Sequence, residues 1–325
     1  METTTSDSKA SLLPLTEQIS QLTANVGSVF LGKSEVIQMV VTALIARGHI
    51  LLEDVPGVGK TTLAQAIARS LGADFQRIQF TSDLLPSDIL GISIFNKDTR
   101  IFEFRPGPIF AHVVLADEIN RTSPRTQSAL LEAMAESRIS LDDQTYRLPD
   151  PFIVLATQNP LEYHGTYPLP ESQLDRFLMR LSIGYPAQDI ERKLLLERRA
   201  SEPVEELKTA MSLPSLQEIQ TKVDQVQMDE SLADYILQVV QATRSSSLLR
   251  AGVSTRGALA LARAARAHAL IQGRTYCIPD DLTHLFVPVL AHRISLSGLP
   301  DSFQSTRREA ETIILDIVAG IEAPV

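Results

Sequence analysis

Three stretches of this 325-residue chain carry residue types that handle phosphate. The first is Asp54-Val55-Pro56-Gly57-Val58-Gly59-Lys60-Thr61, followed by a helical pattern from Thr62 to Leu71. Glycines let main-chain amides close on an anion, and a helix N-terminus adds partial positive charge. Lys60 has the reach for terminal phosphates, and the Thr61 hydroxyl is a hard oxygen donor for Mg2+. Pro56, Gly57, Val58, Gly59, Lys60, Thr61 and Thr62 are therefore the candidate phosphate-binding residues. Asp54 stands where such loops usually begin with glycine.

The second stretch is the apolar run Val113-Val114-Leu115-Ala116, which ends in Asp117-Glu118. A buried strand delivering two carboxylates to a sheet edge beside a phosphate loop suits magnesium coordination by Asp117 and water activation by Glu118. The third is the strand Phe152 to Ala156, running into Thr157-Gln158-Asn159-Pro160, where the Asn159 amide can hold a water or touch a terminal phosphate. Two arginines follow in defined settings, Leu174-Asp175-Arg176-Phe177 and Ser254-Thr255-Arg256-Gly257. Singly, each is an ordinary surface charge. Together they look like the guanidinium groups that ring-forming ATPases direct at the transferred phosphate, one across a subunit interface and one from a helical lid.

The elements that must position these groups are legible in outline. Pro14 to Ile45 reads as two short helices broken near Gly32. His49 to Glu53, Phe75 to Phe80, Val113 to Ala116, Phe152 to Ala156 and Met179 to Ile183 are short apolar runs, several of them separated by helical patterns. That is the rhythm of a buried parallel sheet covered by helices. Ile92 to Phe104 and Arg138 to Leu148 read as inserted hairpins, the second after the helical Gln127 to Glu136. After Gly184-Tyr185-Pro186 the pattern is helical throughout, so the expected division is an α/β core over 1–186 and an all-helical lid over 187–325.

Thirty basic against 39 acidic residues, net charge -9, argue against a surface built to neutralise a nucleic-acid backbone. Tryptophan is absent and no aromatic–basic alternation suits base stacking. The lone Cys277 reads as a reduced thiol. With no signal-like N-terminus and no apolar run near the roughly 18 residues of a membrane span, the expected location is cytoplasmic. The six histidines, at 49, 112, 164, 268, 284 and 292, show no metal-ligand spacing. Arg263 and Arg266 suggest one charged stripe on an alanine-rich helix.

In sum these motifs resemble the MoxR branch of the AAA+ ATPases over nearly the whole chain. The likeness is carried by HisIleLeuLeuGluAspValProGlyValGlyLysThr from His49, LeuAlaAspGluIleAsnArg from Leu115, GlnSerAlaLeuLeuGluAlaMet from Gln127, LeuAlaThrGlnAsnPro from Leu155 and TyrProLeuProGluSerGlnLeuAspArgPhe from Tyr167. It implies a P-loop NTPase core with ATP and Mg2+ as cofactors. Lys60 and Thr61 then belong to the first Walker motif, Asp117 and Glu118 to the second, and Asn159 is the first sensor. Arg176 would be the arginine finger, with Arg121 or Arg125 as competitors, and Arg256 the second sensor. Thr255 and Gly257 depart from the proline and alanine frequent in that segment. By the same resemblance the two hairpins would be the helix-2 insert and pre-sensor hairpin of the AAA+ clade that also contains magnesium chelatase and replicative helicase subunits.

The resemblance further implies a hexameric homo-oligomeric ring that hydrolyses ATP between subunits, with a lid moving about 184–187. Such rings remodel or activate partner proteins, often ones with von Willebrand factor A domains and sometimes with metal insertion. Two other readings stand beside it: a nucleic-acid motor of the same clade, and an ATP-gated assembly module with little turnover.

Overall fold

The computed structural model describes residues 4–142, 144–159, 166–196, 202–297 and 303–324. Helices α1 (Thr4–Val29) and α2 (Ser34–Ile45) lead in, with the break at Gly32, whose φ of +72° a side chain would resist. α1 is 26 residues long and starts before the expected Pro14, because its first turns are polar and carry no apolar repeat to read.

Next come β1 (Ile50–Glu53), α3 (Lys60–Leu71), β2 (Phe75–Gln79) and α4 (Pro86–Leu90). A hairpin of β3 (Gly91–Asn96) and β4 (Ile101–Pro106) precedes β5 (Val113–Asp117) and α5 (Pro124–Glu136). A second hairpin, β6 (Arg138–Leu141) with β7 (Gln144–Arg147), precedes β8 (Ile153–Gln158), α6 (Glu171–Leu174) and β9 (Met179–Leu181). Both hairpins stand where the alternating patterns placed them.

β1, β2, β5, β8 and β9 form one parallel sheet in the order β2-β5-β8-β1-β9. The phosphate-loop strand β1 thus lies between β8 and β9. Alternate residues feed two apolar layers. Leu51, Val114, Ala116, Val154 and Ala156 enter one with Phe80, Leu131 and Phe177. Ile50, Leu52, Val113, Leu115 and Leu155 enter the other with Leu22, Leu44 and Leu63. A sheet covered on both faces explains why its inner strands β1, β5 and β8 read as near-continuous apolar runs.

Beyond β9 the chain forms α7 (Gln188–Leu196), α8 (Leu213–Val223), α9 (Glu230–Ser245), β10 (Leu249–Ala251), α10 (Thr255–Ile271), α11 (Pro279–Thr283), α12 (Phe286–Leu290), β11 (Ser295–Leu296) and α13 (Phe303–Ala319). This part is not purely helical. β10 and β11 pair antiparallel, Leu249 with Leu296 and Ala251 with Ser295. Three and two residues are too few to leave a period-two signal. No described helix is long and apolar enough to cross a membrane.

Candidate functional site

The register of the parallel sheet assembles the predicted groups along its C-terminal edge. Glu53 pairs with Gln158, so the loop leaving β1 starts beside Asn159, which is buried and follows β8 directly. Ala116 pairs with Ala156, which sets Asp117 and Glu118 beside Thr157. Gly57 and Gly59 adopt φ of +85° and +92°. A Cβ on Gly57 would meet nothing within 4 Å, leaving an open cradle over that amide, whereas one on Gly59 would come within 3.0 Å of the Phe30 ring. Lys60 opens α3 and donates from Nζ to the Asp54 carbonyl at 2.7 Å. Burial pulls its ammonium pKa down, and Asp54, Asp117 and Glu118 push it back up.

The carboxylate pair is held by Thr157, Arg77 and Gln79, to which the linear sequence assigns no role, and by Arg121, which was a candidate for another role. The Thr157 hydroxyl donates to Asp117 Oδ1 at 2.5 Å and accepts the Glu118 amide at 2.9 Å. Arg77 donates to Asp117 Oδ2 through Nη2 at 2.6 Å and Nε at 3.2 Å. Glu118 Oε2 accepts from Gln79 Nε2 at 2.9 Å and Arg121 Nη1 at 2.8 Å. Glu118 also sits at φ +60°, a left-handed conformation costly for a residue with a Cβ. Arg77 and Gln79 lie on β2, opposite Leu115 and Asp117. Only that register brings them to the acids.

Downstream, Gln127 Nε2 donates to the carbonyls of Ile119 at 3.1 Å and Tyr167 at 2.9 Å. That ties the turn after Glu118 to α5, which Ser123 caps through the Thr126 amide. Asp54 is buried, with its carboxylate accepting from the Ser182 hydroxyl and the Ile183 and Gly184 amides.

The two arginines lie elsewhere. Arg176 and Arg256 line one cavity of about 330 Å³ with Arg47, Arg263 and Arg293. Its other walls include Gly48, His49 and Leu178, which precede β1 and β9. This is the N-terminal edge of the sheet, about 13 Å from the phosphate loop along the four residues of β1. Arg176 Nη1 donates to the Leu131 carbonyl of α5 at 2.8 Å. Asp175 accepts from Arg293 Nε at 2.7 Å and from the Ser254 hydroxyl at 3.3 Å, fastening the start of α10, and so Arg256, next to Arg176. Of the competing arginines, Arg121 pairs with Glu118 three residues before it, and Arg125 is exposed at the start of α5.

Among the described residues no group of three or more His, Cys, Asp or Glu is placed to hold a metal by itself. Thr61 and Asp117 would offer two hard oxygens of the kind that a magnesium ion shared with phosphate and water takes. The residues present therefore fit both ATP phosphates and Mg2+.

His49 is structural. Its Nε2 donates to the Met134 carbonyl at 3.0 Å and its Nδ1 accepts the Val154 amide at 3.0 Å, and burial pushes its pKa down to about 4. His268 is paired with the buried Asp281 at 2.7 Å. His164 and Pro160 lie outside the described residues. Arg263 is half-buried on α10, its pKa lowered by burial.

Comparisons with known proteins agree with this geometry. Residues 49–179 match the model of the ATPase family associated with various cellular activities (AAA), and 241–317 match an AAA lid domain. The chain is 49% identical to the protein YeaC of Bacillus subtilis, over 93% of each. It is 40% identical to the chaperone MoxR1 of Mycobacterium tuberculosis, covering 83% of this chain and 73% of that one. It is 34% identical to the protein MoxR of Paracoccus denitrificans, covering 84% and 87%. A crystal structure from Cytophaga hutchinsonii, described as a candidate ATPase, superposes with a TM-score of 0.87 at 36% identity over all of both chains.

Proposed function

The chain belongs to the MoxR family of AAA ATPases, and on that premise we propose that it hydrolyses ATP at the interfaces of a hexameric ring and uses the cycle to remodel partner proteins. The observation that carries this reading is the separation of the site into halves. Lys60, Thr61, Asp117, Glu118 and Asn159 gather at one sheet edge, and Arg176 and Arg256 share a basic cavity at the other.

Lys60 exchanges its bond with the Asp54 carbonyl for the terminal phosphates, and the amides of Gly57 to Thr61 surround the phosphate chain. Thr61 and Asp117 would hold Mg2+, which when bound would neutralise phosphate charge. Glu118 accepts a proton from the attacking water, and Asn159 orients that water. Glu118 shares its carboxylate with Gln79 and Arg121, so their release frees it to act as the base. Arg176 and Arg256 sit at the sheet edge away from their own phosphate loop, where a neighbouring subunit's nucleotide would meet both at once. Such a finger is worth roughly a thousandfold or more in rate.

α7 supports assembly: none of its residues is buried, and Leu194, Leu195 and Leu196 are exposed by 52%, 84% and 74%. The β3–β4 hairpin supports client contact, since Phe95 and Phe102 pair edge-to-face at 5.3 Å and stand largely in solvent. Clients with von Willebrand factor A domains, and metal insertion in their maturation, follow from the family alone.

A mixing experiment tests the ring. Lys60→Ala lacks a phosphate site but keeps its arginines, and Arg176→Ala has the reverse lesion. Each alone should be nearly inactive. Mixed, they should recover a sizeable fraction of wild-type turnover, because some interfaces then combine an intact loop with an intact finger. Full activity of Arg176→Ala alone, or no recovery in rings shown to have mixed, would refute action between subunits. The client is sought with Glu118→Gln in Mg·ATP against Lys60→Ala, with a von Willebrand factor A protein enriched only by the former.

A further inference from the structure

Asp54 is the one residue of the phosphate loop whose type departs from the usual pattern, and phosphate binding leaves it unused. Glycine there would need no partner. Asp54 brings a carboxylate and buries it, with 7% of the residue exposed. That carboxylate spans 128 to 130 residues of sequence to the exit of β9. Oδ1 accepts the Ser182 hydroxyl at 3.0 Å and the Gly184 amide at 3.2 Å, and Oδ2 accepts the Ile183 amide. Hydrogen bonds to a buried carboxylate are the stronger kind, and losing the acceptor would strand two main-chain donors.

The same residue faces the nucleotide through its main chain. Its carbonyl is the acceptor for Lys60 Nζ, and its amide donates to the Gln158 carbonyl at 3.3 Å, one residue before Asn159. The adjacent Glu53 is buried and reaches other elements in the same way. Its carboxylate lies 3.7 Å from Arg180 of β9 and 3.5 Å from Arg307 of α13, and Arg307 also donates to the Glu53 carbonyl at 3.2 Å. On the other side Lys33 Nζ donates to the Tyr185 carbonyl at 2.7 Å. The segment leaving β9 toward α7 is thus gripped at Ser182 to Gly184 by the first residue of the phosphate loop.

Resting on the reading of Lys60 as the phosphate contact, we propose that Asp54 is a positioning residue that couples phosphate occupancy to the exit of β9. When Lys60 turns from the Asp54 carbonyl to a phosphate, the main chain at Asp54 loses a cationic donor. The turn it begins relaxes, and the three bonds of its carboxylate carry that displacement to residues 182–184. From there it passes into the connection to α7. A glycine at position 54 would bind phosphate without this linkage.

The test is hydrogen exchange of the segment 182–187 in the full-length protein, with and without Mg·ATPγS, alongside mant-ATP binding. In the wild type, nucleotide should change exchange of this segment by at least threefold. Asp54→Asn keeps the shape but sets an NH2 group against the Ile183 amide. It should raise exchange about tenfold and abolish the nucleotide response. Ser182→Ala leaves the phosphate loop untouched and removes one of the three bonds. It should weaken the response while mant-ATP affinity stays within twofold, which keeps the proposal testable if Asp54→Asn does not fold. A merely structural Asp54 would raise exchange in both states and leave the response intact, which overturns the coupling. So does a wild type that binds mant-ATP without any change at 182–187. Absence of mant-ATP binding by the wild type sinks the phosphate-loop reading as well, so the two failures are told apart.

Discussion

Thr157→Val is the substitution that most sharply tests how the two carboxylates are organised. The exchange is nearly isosteric, so it removes one hydroxyl without opening a cavity in a residue that is fully buried. Two bonds go with it: the donation to Asp117 Oδ1 at 2.5 Å and the acceptance of the Glu118 amide at 2.9 Å. The first is charge-assisted, worth about 1.5–3 kcal/mol. The second leaves a main-chain N–H without that acceptor at about 1–3 kcal/mol. Together they put the expected destabilisation of the nucleotide-free protein at about 2.5–6 kcal/mol, a loss of several degrees in Tm or more. The catalytic effect has a different origin. Glu118 is held at φ +60°, a conformation that costs about 1–2 kcal/mol, and the Thr157 bond to its amide opposes that strain. Once released, the backbone relaxes and the carboxylate leaves its position beside the phosphate loop. At 1.36 kcal/mol per decade of rate, kcat should fall about 5- to 30-fold, while mant-ATP affinity, set by Lys60 and the loop amides, changes far less. Thr157→Ser keeps the hydroxyl and should recover most of both losses. Coupled-assay kinetics and calorimetry on the three proteins decide the matter. A folded Thr157→Val enzyme with kcat within twofold of wild type, or a serine variant as impaired as valine, would refute the reasoning.

Other expectations are more local. Gly57→Ala and Gly59→Ala both force a side chain to positive φ, at about 1–2 kcal/mol, but only the second meets Phe30 at 3.0 Å. Gly59→Ala should therefore melt lower than Gly57→Ala and regain part of the difference with Phe30→Leu; the reverse order would defeat the packing argument. The buried His49, with its pKa lowered to about 4, stays neutral in the fold while the unfolded chain takes up a proton below about 6.5. Stability is then unaffected by this group above pH 6.5 and lost at about 1.4 kcal/mol per unit as pH falls from 6.5 toward 4. His49→Asn should flatten that slope in calorimetry between pH 7.5 and 5.5, and superimposable curves would show that His49 contributes nothing.

The chemistry was most legible where neighbours in sequence are also neighbours in the site. The run from Asp54 to Thr61, the pair Asp117-Glu118, and Asn159 after its strand all stood out because strand, turn and helix signals bracketed them. The geometry now puts them along one edge. Arg77, Gln79 and the Thr157 hydroxyl did not stand out, because their meaning lies in the pairing of β2 with β5 and of β5 with β8, and strand order leaves no local trace. Asp54 was visible only as an oddity, since its partners lie at 182–184. Arg176 and Arg256 were singled out by type. That they share a cavity, on the edge away from the loop, follows from Asp175 bridging Ser254 and Arg293 across the fold. β10 and β11 leave no period-two signal because so few of their residues pair.

One apolar layer does not stop at the sheet. It begins with Leu15 and Leu22 of α1, takes in Leu44 of α2 and Leu52 of β1, and continues without a gap to Leu216, Val239, Leu261 and Ile314 in α8, α9, α10 and α13. α2 packs directly on α8 and α10, and β9 on α12. A wide hinge opening at the exit of β9 would have to wet these side chains at about 25 cal/mol for every Å² uncovered. Sliding of packed helices by an ångström or so leaves the layer dry. The chain is therefore built to transmit force as a nearly rigid lever, and in the proposed ring the large excursions would fall at the joints between its members.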